Sequence, residues 1–295
     1  MKRDDSLLLT VFTPTYNREF LLKRAYASLC AQVNKKFVWL IVDDGSTDGT
    51  RQQIERWKLE ADFEICYVYQ ENGGKMRAHN KGVMQTNTEL FVCLDSDDSL
   101  TPNAVKTIYE QWEEIPEEVQ RQYAGLIAYK GRDEEYTLNG ELFPEVEADS
   151  LTGLEQKGFQ GEYVLVFRTA VLREFLFPEF EGETFVPEAV VYDRIDQKYC
   201  YKVVPQILMI CEYQQDGLTR QIQKLRRENP QGWLLYYQQR ISQTKKSLLR
   251  YKYQVHAVCF ACKLKKSVKE AVPGTRLERL AAVPAAGLLL CMGRL

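Results

Sequence analysis

The chain has 295 residues, of which 45% are hydrophobic and 27% charged, and this is the composition of an ordinary globular protein of one large or two modest domains. The net charge of −2 conceals an asymmetry, because residues 240–295 hold twelve Lys or Arg against two Asp or Glu and leave the body of the chain acidic. The acidic body argues against nucleic-acid binding. The apolar stretch at residues 280–292 is too short to span a bilayer and is interrupted by Pro284 and Gly287.

The eight cysteines and the lack of a secretory signal predict a reducing compartment and free thiols. Four of the cysteines fall inside helix-like or strand-like runs rather than in a loop framework: Cys30, Cys66, Cys93 and Cys200. Cys259 and Cys262 form a lone C-x-x-C pair, for which helical packing is favoured over a zinc site.

The first 115 residues alternate between strand-like and helix-like patterns. Apolar runs rich in β-formers predict strands at residues 7–13, 37–42, 63–69 and 91–94. Amphipathic runs predict helices at residues 19–32, 50–59, 76–85 and 103–112. Pro14 is expected to stop the first strand, and Thr101 and Pro102 to be the N-cap and first residue of the fourth helix. The alternation predicts an α/β fold, with a mostly parallel sheet and helices on both faces.

Polar loops follow the predicted strands, at residues 14–18, 43–48, 72–77 and 95–98. Parallel strands end at the same edge of a sheet, so we expect these loops to gather where open α/β sheets bind ligands. The last loop carries three carboxylates, which are hard ligands suited to Mg²⁺ or Mn²⁺ held together with a phosphate. Taken alone, the same Asp-rich turn fits a solvated, capping turn equally well.

The glycine-rich loop after the third strand is the candidate anion site. Gly73 and Gly74 allow backbone N–H groups to approach an anion. Lys75 and Arg77 can offset the charge of a diphosphate near the start of a helix.

Asp43 and Asp44 follow the second strand, and either can accept hydrogen bonds from the N–H of a base or from ribose hydroxyls. No G-x-G-x-x-G follows the first strand and no G-x-x-x-x-G-K-[ST] occurs, so neither the dinucleotide fingerprint nor the P-loop is supported. The predicted ligand is a metal-bridged nucleotide diphosphate.

Four motifs in these loops carry a resemblance to a known family. They are Thr13-Pro14-Thr15-Tyr16-Asn17-Arg18, Val42-Asp43-Asp44-Gly45-Ser46-Thr47-Asp48, Asn72-Gly73-Gly74-Lys75 through Asn80-Lys81-Gly82, and Asp95-Ser96-Asp97-Asp98. In this order, over residues 7–115, they resemble the family 2 inverting glycosyltransferases with a GT-A fold. The resemblance implies a Rossmann-like, mixed and mostly parallel sheet. It also implies transfer of a sugar from a nucleotide diphosphate sugar, usually a UDP-sugar, with Mg²⁺ or Mn²⁺ as cofactor.

The resemblance implies roles for individual residues. Pro14, Tyr16 and Asp44 would line the base and ribose, Arg77 would face the diphosphate, and residues 95–97 would be the D-x-D motif that holds metal and ribose. The predicted metal ligands are Asp95, Asp97 and Asp98. The predicted nucleotide-sugar-binding residues are Thr13, Pro14, Tyr16, Arg18, Asp43, Asp44, Gly73, Gly74, Lys75, Arg77, Asp95 and Ser96.

The second half of the chain would carry the acceptor side. Strands are predicted at residues 124–130, 163–168 and 203–213, with a loop at residues 142–160 and a polar turn at residues 213–220. Family members commonly place the general base in an E-D pair, but this chain has Glu188-Ala189. Glu188 is the first choice for the base and Asp193 the second. The competing interpretations are a first-turn helix carboxylate for Glu188 and a surface ion pair with Arg194 for Asp193.

From residue 233 to 266 the pattern predicts one or two long basic helices. We predict a glycosyltransferase domain at residues 1–220, with a nucleotide-sugar half at 7–115 and an acceptor half at 116–220, and a helical extension at 221–295. The basic tail predicts reversible contact with an anionic membrane at the cytoplasmic face of the inner membrane, where a lipid-linked glycan acceptor would lie. The alternative is a solvated basic helix that packs on the acidic body.

Two other functions compete with sugar transfer. A nucleotidyltransferase would use a similar α/β layout, but no glycine-rich loop with Arg or Lys directly follows the first strand. A non-catalytic binder of sugars or nucleotides is suggested only by the missing E-D pair.

Overall fold

The computed structural model describes residues 7–211 and 221–292 of the chain. The strands are β1 (Leu9–Thr15), β2 (Phe37–Asp43), β3 (Glu64–Tyr69), β4 (Leu90–Cys93), β5 (Ser99–Leu100), β6 (Tyr123–Gly131), β7 (Ala148–Asp149), β8 (Tyr163–Arg168) and β9 (Cys200–Ile210). The helices are α1 (Leu22–Cys30), α2 (Thr50–Glu60), α3 (Lys75–Gln85), α4 (Ala104–Glu113), α5 (Glu117–Gln120), α6 (Leu151–Gln156), α7 (Thr169–Glu174), α8 (Ala189–Asp196), α9 (Ile222–Glu228), α10 (Pro230–Gln243), α11 (Leu248–Lys263), α12 (Val268–Ala271) and α13 (Arg276–Cys291).

The nine strands of the described residues form one sheet, in the order β3-β2-β1-β4-β8-β6-β9-β5, with β7 alongside β9. The ladders β1–β2, β2–β3, β1–β4 and β6–β9 are parallel. β8 runs antiparallel to both of its neighbours, β4 and β6, and the short strands β5 and β7 run antiparallel to β9. More residues pair in parallel than in antiparallel ladders, so the predicted mixed and mostly parallel α/β sheet is confirmed.

One face of the sheet packs on three helices. Leu9 and Val11 of β1 belong to a buried cluster that includes Leu22 of α1, Ile54 of α2 and Ile108 of α4. Side chains alternate between the two faces of a strand, so the residues between them point to the opposite side.

The opposite face packs on α3. Phe12 of β1 stacks on Phe91 of β4 with ring centroids 5.1 Å apart, and both rings meet His79 of α3 edge-on. A Cβ at Gly82 of α3 would lie 2.4 Å from the Phe12 ring, so this close approach of helix and strand requires glycine. Helices therefore cover both faces, as predicted.

Pro14 lies inside β1, and the prediction that it stops the strand is wrong. The carbonyl of Phe12 accepts from the N–H of Leu94 on the β4 side, and Pro14 faces the same side two residues later. β4 has ended there, because its last residue, Cys93, pairs with Phe12. A proline at that position therefore costs the sheet no ladder hydrogen bond.

The predicted start of the fourth helix is also wrong. Asn103 is the N-cap of α4, and the short strand β5 intervenes before it. Thr101 is engaged with β9 instead, because its N–H donates to Leu208 O (3.0 Å) and its hydroxyl to Ile207 O (3.1 Å). The chain thus adds a strand to the far edge of the sheet before it turns into the helix.

Residues 142–160 were predicted as a loop but contain β7 and α6. Ser150 caps α6, since its hydroxyl accepts from the N–H of Gly153 at 3.0 Å. The S-L-T-G-L sequence carries this capping signal, but only six residues form the helix, so its periodicity is too short to detect.

The described residues divide into two compact units. The first lies within Met1–Leu176 and Asp193–Gln214 and contains the whole sheet. The second lies within Phe177–Tyr192 and Gln215–Leu295. The predicted domain boundary at residue 220 and the predicted turn at residues 213–220 lie outside the described residues.

The second unit has its own aromatic core. Trp233 and Tyr237 of α10 pack on Phe260 of α11, with Tyr237 and Phe260 centroids 5.8 Å apart. The predicted long helices of residues 233–266 are α10 and α11, separated by a short break. Among the described residues, no helix combines the length and hydropathy needed to cross a bilayer.

A buried carboxylate fastens the segment before α8 to α10. Glu183 accepts the N–H groups of Gln231 (2.6 Å) and Gly232 (2.9 Å) in the first turn of α10, where the helix dipole also favours a negative charge. Asn229 accepts the N–H of Phe185 at 2.9 Å. A Cβ at Gly232 would lie 2.9 Å from the carbonyl oxygen of Phe185. Residues 183–186 therefore belong structurally to the C-terminal helices.

Candidate active site

The carboxyl ends of β1, β2 and β4 lie at one edge of the sheet. Thr15, the last residue of β1, pairs with Asp43, the last residue of β2. β4 ends at Cys93, two residues before Asp95. The predicted loops therefore follow neighbouring strands at the same edge.

The loops after β1 and β2 are joined by hydrogen bonds. The N–H of Asn17 donates to the hydroxyl of Ser46, and the side-chain oxygen of Asn17 accepts the N–H of Thr47, each at 2.8 Å. Asn17 has a positive φ of 52°, which asparagine tolerates better than most residues. Next to it, Tyr16 is 48% exposed, so its ring is open to a ligand.

Thr13 and Asp43 were predicted to bind the nucleotide sugar, but their side chains are buried in the scaffold. The Thr13 hydroxyl accepts from the indole N–H of Trp39 at 2.9 Å. Asp43 accepts the hydroxyl of Tyr67 at 2.7 Å and the N–H of Ser46 at 2.8 Å. Burial and this carboxylate raise the pKa of Tyr67 well above its usual range, so the phenol stays a donor.

Asp44 organises the glycine-rich loop. Its Oδ1 accepts from Gln70 Nε2 (2.7 Å) and Gly73 N–H (2.8 Å), and its Oδ2 accepts from Gly74 N–H (2.7 Å). In this structure the anion that the N–H groups of Gly73 and Gly74 approach is the Asp44 carboxylate, and the binding of a nucleotide sugar by these two glycines stays a prediction. A carboxylate offers about four acceptor positions, so Oδ2 retains one for a base or ribose.

Asp95 forms an ion pair with Lys75 and also feels the charge of Lys130. Lys75 Nζ, at the start of α3, lies 2.9 Å from Asp95 Oδ2. Burial acts to raise the pKa of Asp95, but the charges of Lys75 and Lys130 outweigh it and hold the pKa below its usual value. Asp95 is therefore ionised at neutral pH.

Lys130 was missed by the sequence analysis. It lies near the carboxyl end of β6, the neighbour of β8 in the sheet, and its charge acts on Asp95 and Asp98. A lysine directly after the apolar run of residues 124–129 and before Gly131 was the available signal. The topology that brings β6 close to β4 is not readable from chain order.

Asp97 and Asp98 experience the opposite effect from Asp95. Burial and the negative charge of Asp95 raise the pKa of Asp97, against a smaller pull from Arg18. The same two causes raise the pKa of Asp98 to about 6, although a hydrogen bond with the Cys211 thiol acts in the other direction. The cluster carries more negative charge than its surroundings favour, and a cation would relieve this.

The acidic cluster fits a divalent cation that is shared with a substrate. Within the described residues no three His, Cys, Asp or Glu side chains gather closely enough to hold a metal ion by themselves, so the predicted set Asp95, Asp97 and Asp98 is not formed by protein alone. Burial alternates along residues 95–98: Ser96 and Asp98 are buried, while Asp95 and Asp97 are partly exposed. Mg²⁺ commonly takes one or two carboxylates and completes its shell with water and phosphate. Asp95 and Asp97 suit that arrangement.

Two further cations were predicted at the site: Arg18 lies in the loop after β1, and Arg77 lies in the first turn of α3. Arg77 Nη1 donates to the carbonyl of Gly73 at 3.2 Å, and a Cβ at Gly73 would lie 2.9 Å from the Arg77 side chain. Arg77 thus packs along the glycine-rich loop. Arg18 precedes α1 and acts on the charge of Asp97.

His79 lies beneath the cluster in α3, against Phe12 and Phe91. Burial, reinforced by the charge of Lys75, lowers the pKa of His79 to about 3. The imidazole is therefore neutral at physiological pH and acts as part of the core, not as an acid or base.

The two candidates for the general base lie on either side of the boundary between the units. Glu188 directly precedes α8 in the second unit, and its carbonyl accepts the N–H groups of Val191 and Tyr192. Asp193 lies within α8 in the first unit. The guanidinium of Arg194 stands over the Phe175 ring at 5.2 Å. The choice between Glu188 and Asp193 stays a prediction.

Solved structures share this fold along nearly the whole chain. S. aureus TarS 1-349 in complex with UDP superposes with a TM-score of 0.59 at 17% identity, covering 97% of this chain and 92% of that one. The mannosyltransferase PcManGT from Pyrobaculum calidifontis, in complex with GDP-Man and Mn²⁺, gives a TM-score of 0.56 at 20% identity, covering 97% and 82%. At such identities the likeness shows the fold, which is that of the GT-A glycosyltransferases.

The family model "Glycosyl transferase family 2" matches residues 10–176, more than half of the chain. The chain belongs to glycosyl transferase family 2, as its four motifs predicted.

Curated relatives match parts of the chain. Glycosyltransferase GlyG of Streptococcus pneumoniae is 31% identical over 110 residues, which are 37% of this chain and 36% of that protein. Glycosyltransferase GlyA of the same organism is 33% identical over 103 residues, and the chain spans only 15% of its length. The GalNAc(5)-diNAcBac-PP-undecaprenol beta-1,3-glucosyltransferase of Campylobacter jejuni is 24% identical over 213 residues, covering 72% of this chain and 67% of that protein.

Proposed function

We propose that the protein transfers a sugar from a nucleotide diphosphate sugar, with a UDP-sugar as first choice, to a hydroxyl of a glycan or lipid-linked acceptor, with inversion. The observation that carries the proposal is the cluster of Asp95 with Lys75 and Lys130 at the carboxyl edge of a family 2 sheet. The complexes of TarS with UDP and UDP-GlcNAc support the choice of donor. The Campylobacter relative, named for a PP-undecaprenol compound, supports the lipid-linked acceptor.

The nucleotide would bind against the loops after β1 and β2. Tyr16 offers an exposed ring beside Pro14 for a base or ribose. Asp44 has an acceptor position left on Oδ2 for a base N–H or a ribose hydroxyl, and its other bonds hold the loop in place. A rigid loop loses little conformational entropy when it binds a ligand.

The diphosphate would bind against the acidic cluster and its lysines. Asp95 and Asp97 would hold Mg²⁺ or Mn²⁺, which when bound supplies positive charge to the diphosphate oxygens. Lys75 and Lys130 add two fixed cations at the same place. Charges aimed at a leaving group before it departs stabilise the transition state without reorganisation.

The acceptor hydroxyl needs a base, and Glu188 remains the first choice with Asp193 the second. Removal of a proton by a positioned carboxylate contributes typically about 10²- to 10⁴-fold to a rate. A lipid-linked acceptor would place the enzyme at the cytoplasmic face of the inner membrane as a peripheral protein.

The test is nucleotide release by the purified chain from a panel of UDP- and GDP-sugars with Mg²⁺ or Mn²⁺. We expect UDP from one UDP-sugar, and a loss of about 10²-fold or more in kcat for Lys130→Met, since loss of one charge-stabilising group costs this much. Lys157→Met is the matched control, because Lys157 is exposed and pairs with Asp149 outside the site. Release of pyrophosphate would establish a nucleotidyltransferase, and tight UDP binding without turnover would establish a binding protein.

A further inference from the structure

Helix α13 presents an apolar stripe to solvent. The stripe consists of Leu277, Leu280, Ala281, Pro284, Leu288 and Cys291, whose spacing places them on one side of the helix and all of which are exposed. Leu277 is 79% exposed and Leu288 is 63% exposed. The opposite side carries Ala282 and Ala286, which are buried in the core of the helical unit. The helix is therefore apolar on both sides.

An ordinary surface helix has charged and polar residues on the side that faces water, and α13 has apolar residues there instead. No charged residue occurs from Leu280 to Met292. A continuous exposed apolar stripe marks an interaction site, because leaving it in water is unfavourable.

The start of α11 extends the apolar surface. α11 and α13 lie side by side in the same direction, since Arg250 approaches Glu278 at 3.6 Å and the Cys259 thiol donates to Ala286 O at 3.6 Å. The first residues of both helices are therefore at the same end. Leu248, 70% exposed, lies at that end.

Cations flank the exposed leucines. Lys245 and Lys246 precede Leu248, Arg276 precedes Leu277, and all three cations are exposed. Leucines bracketed by Lys and Arg are typical of helices that lie in the interface of an anionic membrane.

We propose that the stripe on α13 and the start of α11 form a docking surface for an anionic lipid bilayer, with the leucines in the interface and the cations on the lipid phosphates. A second copy of the chain suits the surface less well, because pairing two such ends would bring like charges together. Only the role of this docking surface, which is to bring the enzyme to a lipid-linked acceptor, rests on the proposed function.

The experiment is sedimentation of the full-length protein with vesicles of phosphatidylcholine and phosphatidylglycerol, and with vesicles of phosphatidylcholine alone. We expect binding to the anionic vesicles at low salt and release at high salt. Leu277→Gln/Leu280→Gln should lower the vesicle partition coefficient by about tenfold or more, since buried leucine side chains contribute strongly. Lys245→Gln/Lys246→Gln should lower it by about fivefold per lysine.

Leu59→Gln/Leu142→Gln is the matched control, because both leucines are exposed in the first unit and lie outside the stripe. Equal binding by the wild type and the α13 variant would overturn the proposal. So would a dimer, seen by light scattering, that dissociates in the α13 variant while neither protein binds vesicles. UDP release is measured on the same proteins without vesicles, so that membrane docking and sugar transfer are tested separately. A protein that binds vesicles but releases no UDP would contradict the proposed sugar transfer and leave the docking surface supported.

Discussion

Asp44 Oδ2 accepts the N–H of Gly74, 30 residues further along the chain, at 2.7 Å. With the bonds to Gly73 and Gln70, this carboxylate fixes the glycine-rich loop against the end of β2. A loop that reads as an anion site from its sequence is thus held by an anion of the protein itself.

Asp44→Asn should weaken UDP binding and stability together. The substitution turns one acceptor oxygen into a donor, so the N–H of Gly73 or Gly74 loses its partner, at a cost of about 1–3 kcal/mol for a buried group. We expect UDP affinity, measured by calorimetry, to fall about tenfold or more. Asp62→Asn, at an exposed aspartate paired with Lys35, should bind UDP normally. Unchanged affinity in Asp44→Asn would show that the loop does not depend on this carboxylate.

Metal dependence can be tested at Asp97. If Asp97 is a metal ligand, Asp97→Asn should abolish transfer while the protein stays folded. EDTA should abolish the activity of the wild type, and added Mg²⁺ or Mn²⁺ should restore it. Circular dichroism serves as the control for folding. Full activity in EDTA would refute the assignment of Asp95 and Asp97.

The general base can be identified with isosteric variants. Glu188→Gln should lower kcat by about 10²- to 10⁴-fold, with UDP affinity retained, because a base faces the acceptor and not the nucleotide. Asp193→Asn is the paired variant. An inactive Asp193→Asn beside a nearly normal Glu188→Gln would reverse the choice.

His79 should make the protein sensitive to acid. Its folded-state pKa of about 3 lies below the unfolded value of about 6.5, so the unfolded state binds the proton first. The contribution of neutral His79 to the free energy of unfolding is fully present above pH 6.5 and is lost as the pH drops towards 3. The loss is about 2 kcal/mol between pH 7 and pH 5. His79→Leu keeps a side chain against Phe12 and Phe91 but cannot bind a proton. Its free energy of unfolding, measured with urea, should therefore fall by about 2 kcal/mol less than that of the wild type between pH 7 and pH 5. Parallel pH dependences for the two proteins would mean that His79 is solvated.

The fold of the first 115 residues was predictable because its signals are local. Each strand is an apolar run, and the polar residues that follow it occupy the same sheet edge whenever neighbouring strands are parallel. Asp44 and Asp95 could therefore be assigned to one site from sequence alone. Pro14 was misjudged because a proline breaks a strand only where its missing N–H would have had a partner.

Lys130 and the region around α6 could not be predicted in the same way. The charge of Lys130 acts on Asp95 because β8 runs antiparallel between β4 and β6 and brings the carboxyl ends of β4 and β6 to the same edge of the sheet. The pairing of strands so far apart in the chain has no local signal in the sequence. The hydrogen-bond partners of Asp44 could not be predicted either, because the donor to its carboxylate could belong to a ligand or to the glycine-rich loop. Only the folded geometry distinguishes these partners.

The hydrogen bonds that join residues 183–185 to the start of α10 have a consequence for exchanging parts between relatives. The strip of chain that carries Glu188 is tied to helices that begin about forty residues later, beyond β9. A chimaera that imports only the C-terminal helices of a relative would receive a helix start without its matching carboxylate. Residues 177–192 and the C-terminal helices should therefore be inherited as one module, even though the chain returns to the sheet between them.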